Sequence, residues 1–424
     1  MGYSVDLLSI PLDISKALEI IMSHEPVVCG FSSNYVTESY VIDIINAIRQ
    51  EKGGEIIIVV GGPSITYSSS KSRIRQCDAD LFVKGYGESP FYQILKNINH
   101  IELIINGTIS IIGVSSKYNS NESIASINLE SVPSLFPLSF NTDHIYWETV
   151  RGCAYNCIYC AHPSQLNRFR NVPFERLISD IKYISSKGFR AIYITDPILG
   201  GEKIRSKKIL KLLKRLKGMF ITAEYRPEYL DNDIIDLLSE LNIGWLEFGL
   251  QTTNPHLKYF RKNSLYGMEQ LTKLSKKGIK YSLDLIAGIP GDTIDSFEDS
   301  LKYAIEMAKP SSLKVFPLRI YEGTVLHQLA MNNGLCTYDK FTRIIKSSHT
   351  FDEKELSNWF QLGRVCSHLY RFFSENLWFD SEDKIRSINF FKKCSNDFGS
   401  ELPELYDANK IMALWNKRRY GQYH

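Results

Sequence analysis

Short, wholly apolar runs alternate with helix-like segments along most of the chain, and this alternation limits the fold more than any other feature. "EPVVCGFSS", "EIIIVVGGPSIT" and "ADLFVKGYGESPF" each pass from an apolar run into a glycine- or serine-rich turn. A strand that is apolar on both faces must be covered on both, which is the condition of a parallel sheet between helical layers. Between the first two lies "VTESYVIDIINAIRQEKGG", with Val36, Ile42, Ile45 and Ile48 near helical spacing and Gly53–Gly54 as a stop. In such sheets ligands sit beyond the carboxyl ends of the strands. Here those ends carry Gly30 to Ser33, then Gly61 to Ser64, then Gly85 to Glu88.

A second series begins near residue 144. "IYWETV", "FRAIYITDPILGG", "MFITAEYRPEYL", "IGWLEFGLQTT", "IKYSLDLIAGIPGDT" and "LKVFPLRIYEGT" read as six strands with helices between them. Six βα units in about 180 residues suit an open, partial (β/α)6 barrel, since a closed eightfold one needs about 250. Between the two series, residues 101–143 read as a connector, with weak hairpin signals in "INGTISIIG" and prolines in "SVPSLFPLSF". Residues 336–424 change character. "KELSNWFQLGRVCSHLYRFFSENLWF" is helical and aromatic, and reads as part of a small helical C-terminal domain whose Trp, Phe and Leu stripe is core. The expected organisation is 1–100, 101–143, 144–335 and 336–424.

Composition narrows the function classes. The chain has 424 residues, 44% hydrophobic and 23% charged, with a net charge of +3. That balance gives no electrostatic footprint for nucleic acid or a membrane surface. No apolar run approaches the roughly 20 residues of a membrane helix, and "MGYSVDLLSI" does not resemble a secretory signal. The expected location is the cytoplasm, with reduced thiols.

Eight cysteines are present, and three fall in "RGCAYNCIYCAHPS" as Cys153, Cys157 and Cys160, in C-x3-C-x2-C spacing. Cys29, Cys77, Cys336, Cys366 and Cys394 are isolated, which is no disulfide framework. The trio has three readings. A zinc site would recruit His162 as fourth ligand, but structural zinc usually joins two ligand pairs across a longer stretch. A redox thiol needs fewer cysteines. An iron–sulfur cluster takes thiolates, and three of them leave one iron open to a small chelating molecule.

This loop, directly after the first barrel strand and with Tyr159 just before its third cysteine, resembles the cluster loop of the radical S-adenosylmethionine (SAM) superfamily. The resemblance implies a [4Fe-4S] cluster held by Cys153, Cys157 and Cys160, with SAM on the fourth iron. Further segments match in order. "YITDPILGG" stands where the family has its SAM-amine motif, with Asp196 in place of Gly-Gly-Glu and Gly200–Gly201–Glu202 a little later. "AEYRPEYL" resembles the third-strand segment that reaches ribose and carboxylate, which nominates Glu224 and Arg226. "EFGLQTTNPHLKYFRKNS" resembles the fourth-strand segment, carrying over Gln251, Thr252 and Arg261. "LDLIAGIPGDT" resembles the fifth-strand segment, whose backbone from Ile286 to Gly288 would edge the adenine, with Leu318 in "VFPLRIYEGT" closing that side. The chemistry implied is reductive cleavage of SAM, after which a 5'-deoxyadenosyl radical takes hydrogen from an unactivated C–H. The cofactor carries that step, and the protein positions it and excludes water. No residue is nominated as a catalytic acid or base.

The unit before the barrel resembles the N-terminal, Rossmann-like cobalamin (B12)-binding domain of one radical SAM subgroup, many of whose members are methylases. The resemblance implies a corrinoid over Ser32, Ser33 and Asn34, over Gly61, Gly62, Pro63 and Ser64, and over Gly85, Gly87 and Glu88. Two departures stand out. "MGYSVDLLSI" matches the second strand of that domain, so the sheet is truncated, and no Asp-x-His-x-x-Gly motif supplies an axial histidine. The unit therefore has two readings, a cobalamin cradle or a vestigial buttress. Three functions follow: a radical SAM enzyme making cobalamin-dependent methyl transfers to a small molecule or peptide, as in natural-product biosynthesis; a cobalamin-independent radical SAM enzyme of rearrangement, cyclisation or aminocarboxypropyl transfer; and a non-enzymatic corrinoid- or cluster-binding regulator. The enzyme readings imply an external electron donor of flavodoxin or ferredoxin type. A methylthiotransferase acting on RNA is a further reading, but the near-neutral charge and the lack of a basic C-terminal module argue against it, so no nucleic-acid or membrane partner is expected.

Overall fold

A computed structural model describes residues 13–69, 72–134, 143–161, 169–257, 259–261, 267–375 and 387–398. The chain divides into two compact units, Met1–Pro133 and Ser134–His424. The stretch "MGYSVDLLSI", His162 and residues 135–142 lie outside the described residues.

The first unit runs α1 (Ile14–Ser23), β1 (Val28–Ser32), α2 (Glu38–Lys52), β2 (Ile57–Gly61), α3 (Pro63–Tyr67), β3 (Leu81–Val83), α4 (Glu88–Lys96), α5 (Ile101–Ile105) and β4 (Val114–Ser115). Its sheet has the order β1-β2-β3-β4. The first three strands are parallel, and β4 joins β3 antiparallel. The apolar strands are covered on both faces, as their composition requires. On one face Ile58, Val60 and Phe82 pack with Ile44, Ile45 and Ile48 of α2. On the other, Val59, Leu81 and Val83 pack with Ile94, Ile104 and Val114. Each such buried side chain is worth about 1.5–3 kcal/mol relative to exposure. Arg49 of α2 is paired with Asp80 at 2.6 Å, and Asp80 also accepts the Ile58 N–H at 2.7 Å, which fixes that helix on the sheet. The hairpin expected in "INGTISIIG" does not form. Its last residues lead into β4, whose two residues extend the first sheet.

The second unit runs β5 (His144–Trp147), β6 (Val150–Arg151), β7 (Arg170–Asn171), α6 (Phe174–Lys187), β8 (Ala191–Ile194), α7 (Lys203–Leu213), β9 (Phe220–Tyr225), α8 (Asn232–Ser239), β10 (Ile243–Gln251), α9 (Leu271–Lys276), β11 (Tyr281–Ala287), α10 (Ile294–Lys302), β12 (Ser312–Pro317), α11 (Val325–Asn333), β13 (Cys336–Tyr338), β14 (Ile345–Ser348), α12 (Glu353–Glu375) and α13 (Ile388–Phe398). Six parallel strands lie in the order β12-β11-β10-β9-β8-β5, with β5 and β12 as open edges. This is the partial α/β barrel that the sequence implies.

Burial alternates along β5, β8, β9 and β10 and separates the two faces, whereas β11 is buried at nearly every position. Ile192, Ile194, Ala223, Tyr225, Leu246, Phe248, Leu250, Leu283, Leu285 and Leu313 are buried on the helix-covered side. Tyr146 is 63% exposed and Tyr193 39% exposed on the other side, so the concave face is open. Residues 336–348 form the β13–β14 hairpin, and α12 then covers the edge strand β12. Ser367 accepts the Val315 N–H at 3.1 Å, and Trp359 stacks on Phe297 at 5.7 Å. Leu356, Trp359, Leu362, Val365, Cys366, Leu369 and Tyr370 are buried, so the aromatic stripe of that helix is core.

Candidate functional site

The cysteine loop leaves the carboxyl end of β5 and is anchored at its base by Asp196, just past β8. The Asp196 carboxylate accepts the N–H groups of Thr149 (2.6 Å), Val150 (3.1 Å) and Gly200 (2.9 Å), and the Thr149 hydroxyl. Burial pushes its pKa up to about 6 against the pull of these bonds. Its oxygens are thus taken up by the protein, and this residue holds the loop base rather than presenting a free carboxylate to a ligand. Arg205 of α7 donates to Thr149 O (3.1 Å) and Val172 O (2.6 Å), and the β6–β7 ladder closes the base. Further along the loop, Ile158 O accepts the Leu326 N–H at 3.0 Å, at the start of α11.

Cys153, Cys157 and Cys160 are half-buried on this loop and none of them is in a disulfide. Among the described residues, no three His, Cys, Asp or Glu side chains surround a single point closely enough for one metal ion. A [4Fe-4S] cluster asks for something else, one thiolate on each of three irons. Three thiols of one rigidly based loop, with buried cations beside them, fit that group.

The cations come from Arg226, just past β9, and Arg261, in the connection between β10 and α9. Arg226 lies with its guanidinium carbon 3.6 Å from the ring centre of Tyr155, inside the loop. It donates to Glu228 through Nε (3.2 Å) and Nη2 (2.6 Å). Arg261 Nη1 lies 3.4 Å from Glu228 Oε1, and all three side chains are buried. Tyr159 stacks on Phe260 at 4.5 Å with the rings 15° apart. The structure thus gathers Tyr159, Arg226 and Arg261 around the loop. It adds Tyr155, Glu228 and Phe260, which the sequence reading passed over. The Arg-Pro-Glu run at the end of a strand was the one available hint of the Arg226–Glu228 fork.

Gln251 ends β10 in the left-handed region, at φ 68°, after a bulge against β11. Thr252 is buried and faces Asp292 and Ser300, each 3.5 Å from its hydroxyl. Asp292 also accepts from Asn254 Nδ2 at 3.1 Å and from Ser296. Thr252 therefore ties the "GLQT" segment to the "GIPGDT" segment from inside, and Asp292 is a partner that the sequence reading missed. Ile286 is nearly buried. Gly288 faces Ile345 and Leu356, where a Cβ would meet Ile345 at 2.8 Å. Leu318 bridges two strand ends, donating to Ala287 O at 2.9 Å and accepting from Ile345 at 3.0 Å.

Glu224 lies on the concave face beside Glu247, Asp284 and Lys314, with Lys314 paired to Glu247. Desolvation between the strands, then the Glu247 charge, pushes Glu224 up to about 7. Burial raises Asp284 to about 7 while Lys314 opposes it, and its Oδ1 has no hydrogen-bond partner among the described residues.

In the first unit, the strand ends β1 and β2 touch through their backbones. Ser33 N donates to Gly61 O (2.9 Å) and Ser64 N to Ser33 O (3.0 Å). Gly62, at φ 94°, is required there, because a Cβ would collide with Ser33 backbone. Gly85 is held likewise against Ala125. These two glycines accommodate neighbouring backbone, whereas Gly87 has open space beside it. The Ser33 and Ser64 hydroxyls are buried and have no partner among the described residues.

A half-barrel of parallel strands with three thiols on the loop after its first strand defines an enzyme class that works through a bound cluster. Residues 147–304 match the family model described as "Radical SAM superfamily". Residues 147–304 therefore carry a radical SAM domain, and the chain is an enzyme. The superfamily uses a [4Fe-4S] cluster and SAM. An uncharacterized methyltransferase, PH0819, of Pyrococcus horikoshii is 22% identical over 391 residues, covering 86% of this chain and 83% of that protein. The threonylcarbamoyladenosine tRNA methylthiotransferase MtaB of Rickettsia prowazekii is 22% identical, covering 67% of this chain and 74% of that one. Among solved structures, the cobalamin-dependent SAM radical enzyme OxsB aligns at a TM-score of 0.67 and 16% identity, over 98% of this chain and 70% of that one. The radical SAM methyltransferase TsrM of Kitasatospora setae aligns at 0.62 and 17% identity, over 77% and 69%. These two are likenesses of fold. No helix among the described residues is long and apolar enough to cross a membrane.

Proposed function

We propose that the chain is a radical SAM methyltransferase acting on a small molecule or peptide, with a corrinoid at the carboxyl end of its first sheet. The observation that carries this reading is the pair of orphaned hydroxyls, Ser33 and Ser64, at the strand ends where a corrinoid was expected. A buried hydroxyl without a partner costs about 1–3 kcal/mol, so these two are suited to a ligand that supplies acceptors or donors. The fold likeness to OxsB, described as cobalamin-dependent, spans both units and supports the same reading.

In the second unit Cys153, Cys157 and Cys160 would hold the cluster, which when bound supplies the electron that cleaves SAM. Arg261, whose Nη1 makes an ionic contact with Glu228 at 3.4 Å but no hydrogen bond among the described residues, would take the SAM carboxylate. Gln251, at the strand end, and Glu224, on the concave face, would meet its polar groups. Asp196, Thr252 and Leu318 would hold the surrounding loops in place. The concave face, with Tyr146, Tyr193, Glu247 and Asp284, would receive the substrate. Residues 1–100 would serve as the corrinoid domain and 144–335 as the barrel.

The test is growth with and without cobalamin, followed by anaerobic purification. Co-purifying corrinoid, lost in an S33V/S64V variant that keeps its iron, is the expected result. Iron and SAM cleavage without any corrinoid would instead favour the cobalamin-independent reading.

A further inference from the structure

Two buried arginines share one buried carboxylate beside the cysteine loop. Glu228 receives two bonds from Arg226, at 2.6 and 3.2 Å, and an ionic contact from Arg261 at 3.4 Å. Arg226 covers the ring of Tyr155. Arg261 follows Phe260, whose ring is stacked on Tyr159. Both aromatic residues of the loop are therefore gripped by an element that Glu228 pins. The close approach of Gly267 to Pro227 fixes Glu228 itself, since a Cβ on Gly267 would collide with Pro227 O. One carboxylate between two guanidinium groups leaves one net positive charge, and Cys157 lies within electrostatic reach of both arginines. A buried charge without a counter-charge is costly, and three cluster thiolates are a suitable counter-charge.

We infer that Glu228 is a positioning residue, holding Arg226 across Tyr155 and Arg261 behind the Tyr159–Phe260 stack, and thereby setting the buried charge that the cysteine loop faces. The part that concerns the cluster rests on the function proposed above. The grip on the loop does not.

Two measurements test it. The first is amide hydrogen exchange of residues 152–161 in the cluster-free protein. E228A should speed exchange there by roughly tenfold or more, as expected when a local tether is lost, while E228D restores part of the protection. The second is the midpoint potential of the reconstituted cluster without SAM. E228Q keeps the shape and removes the negative charge, so the potential should become less negative. R261M removes a positive charge, so it should become more negative. Opposite shifts support the inference. Shifts of the same sign, or no shift in either variant, overturn it, as does unchanged exchange in E228A. If E228A does not fold, E228Q and R261M carry the test. If the wild-type chain takes up no cluster, the proposed function fails while the exchange measurement still decides the positioning role.

Discussion

The Asp196 carboxylate accepts the Thr149 backbone N–H at 2.6 Å and the Thr149 hydroxyl as well, so the end of one barrel strand holds the start of the cysteine loop on its neighbour. Removing that carboxylate would orphan several buried donors. D196A should therefore destabilise the second unit by roughly 3 kcal/mol and lower iron uptake. D196N, which keeps one acceptor oxygen, should lose less of both. Denaturant titration with iron analysis checks this.

On the concave face, Asp284 has its pKa raised to about 7 by burial. In the unfolded chain an aspartate titrates near 3.9. Between these values the native state binds the extra proton, so its contribution to stability falls as pH rises from about 4 to 7 and stays low above. D284N should abolish that slope and raise the melting temperature at pH 8 by roughly 2–4 °C. Thermal unfolding at pH 5 and pH 8 reads the effect. A variant that is less stable than wild type at pH 8 would contradict it.

Gly267 sits at φ 81°, where a side chain would collide with the Pro227 carbonyl. G267A should cost about 2 kcal/mol or more from strain and displacement. Because the displaced residues are Pro227 and Glu228, the tyrosines of the cysteine loop should lose protection in hydrogen exchange at the same time. Loss of stability with the loop unchanged would argue against this coupling.

The orphaned serines make a prediction of unusual sign. With no ligand, S33A or S64A removes a buried unsatisfied hydroxyl and should leave the first unit as stable or more stable, by up to about 1 kcal/mol. The same substitutions should weaken corrinoid binding. Calorimetric unfolding with and without hydroxocobalamin separates the two effects.

The fold was largely legible because its signals are repetitive. Strands such as "EIIIVV" are apolar at every position, and only burial on both faces explains that. The cysteine loop was legible because three thiols in fixed spacing have few chemical uses. β4 was not legible, because Val114 and Ser115 form a two-residue strand that exists only through pairing with Phe82 and Val83. The roles of strand-end residues divided for a different reason. Asp196 and Glu224 occupy similar places after or within neighbouring strands. One is consumed by backbone donors and the other faces the open concave side, and only the tertiary structure distinguishes them. Glu228, Phe260 and Asp292 were missed because each meets side chains that only the tertiary structure brings to it: Arg261 for Glu228, Tyr159 for Phe260, and Thr252 and Asn254 for Asp292.

The most direct test of the account is anaerobic reconstitution with iron and sulfide, followed by electron paramagnetic resonance of the reduced protein before and after adding SAM. The wild-type protein should hold about four iron and four sulfide per chain and give a cluster signal that changes on SAM addition, and the Cys153→Ala/Cys157→Ala/Cys160→Ala variant should lose both. A wild-type protein that binds no iron, or a cluster signal indifferent to SAM, would contradict it.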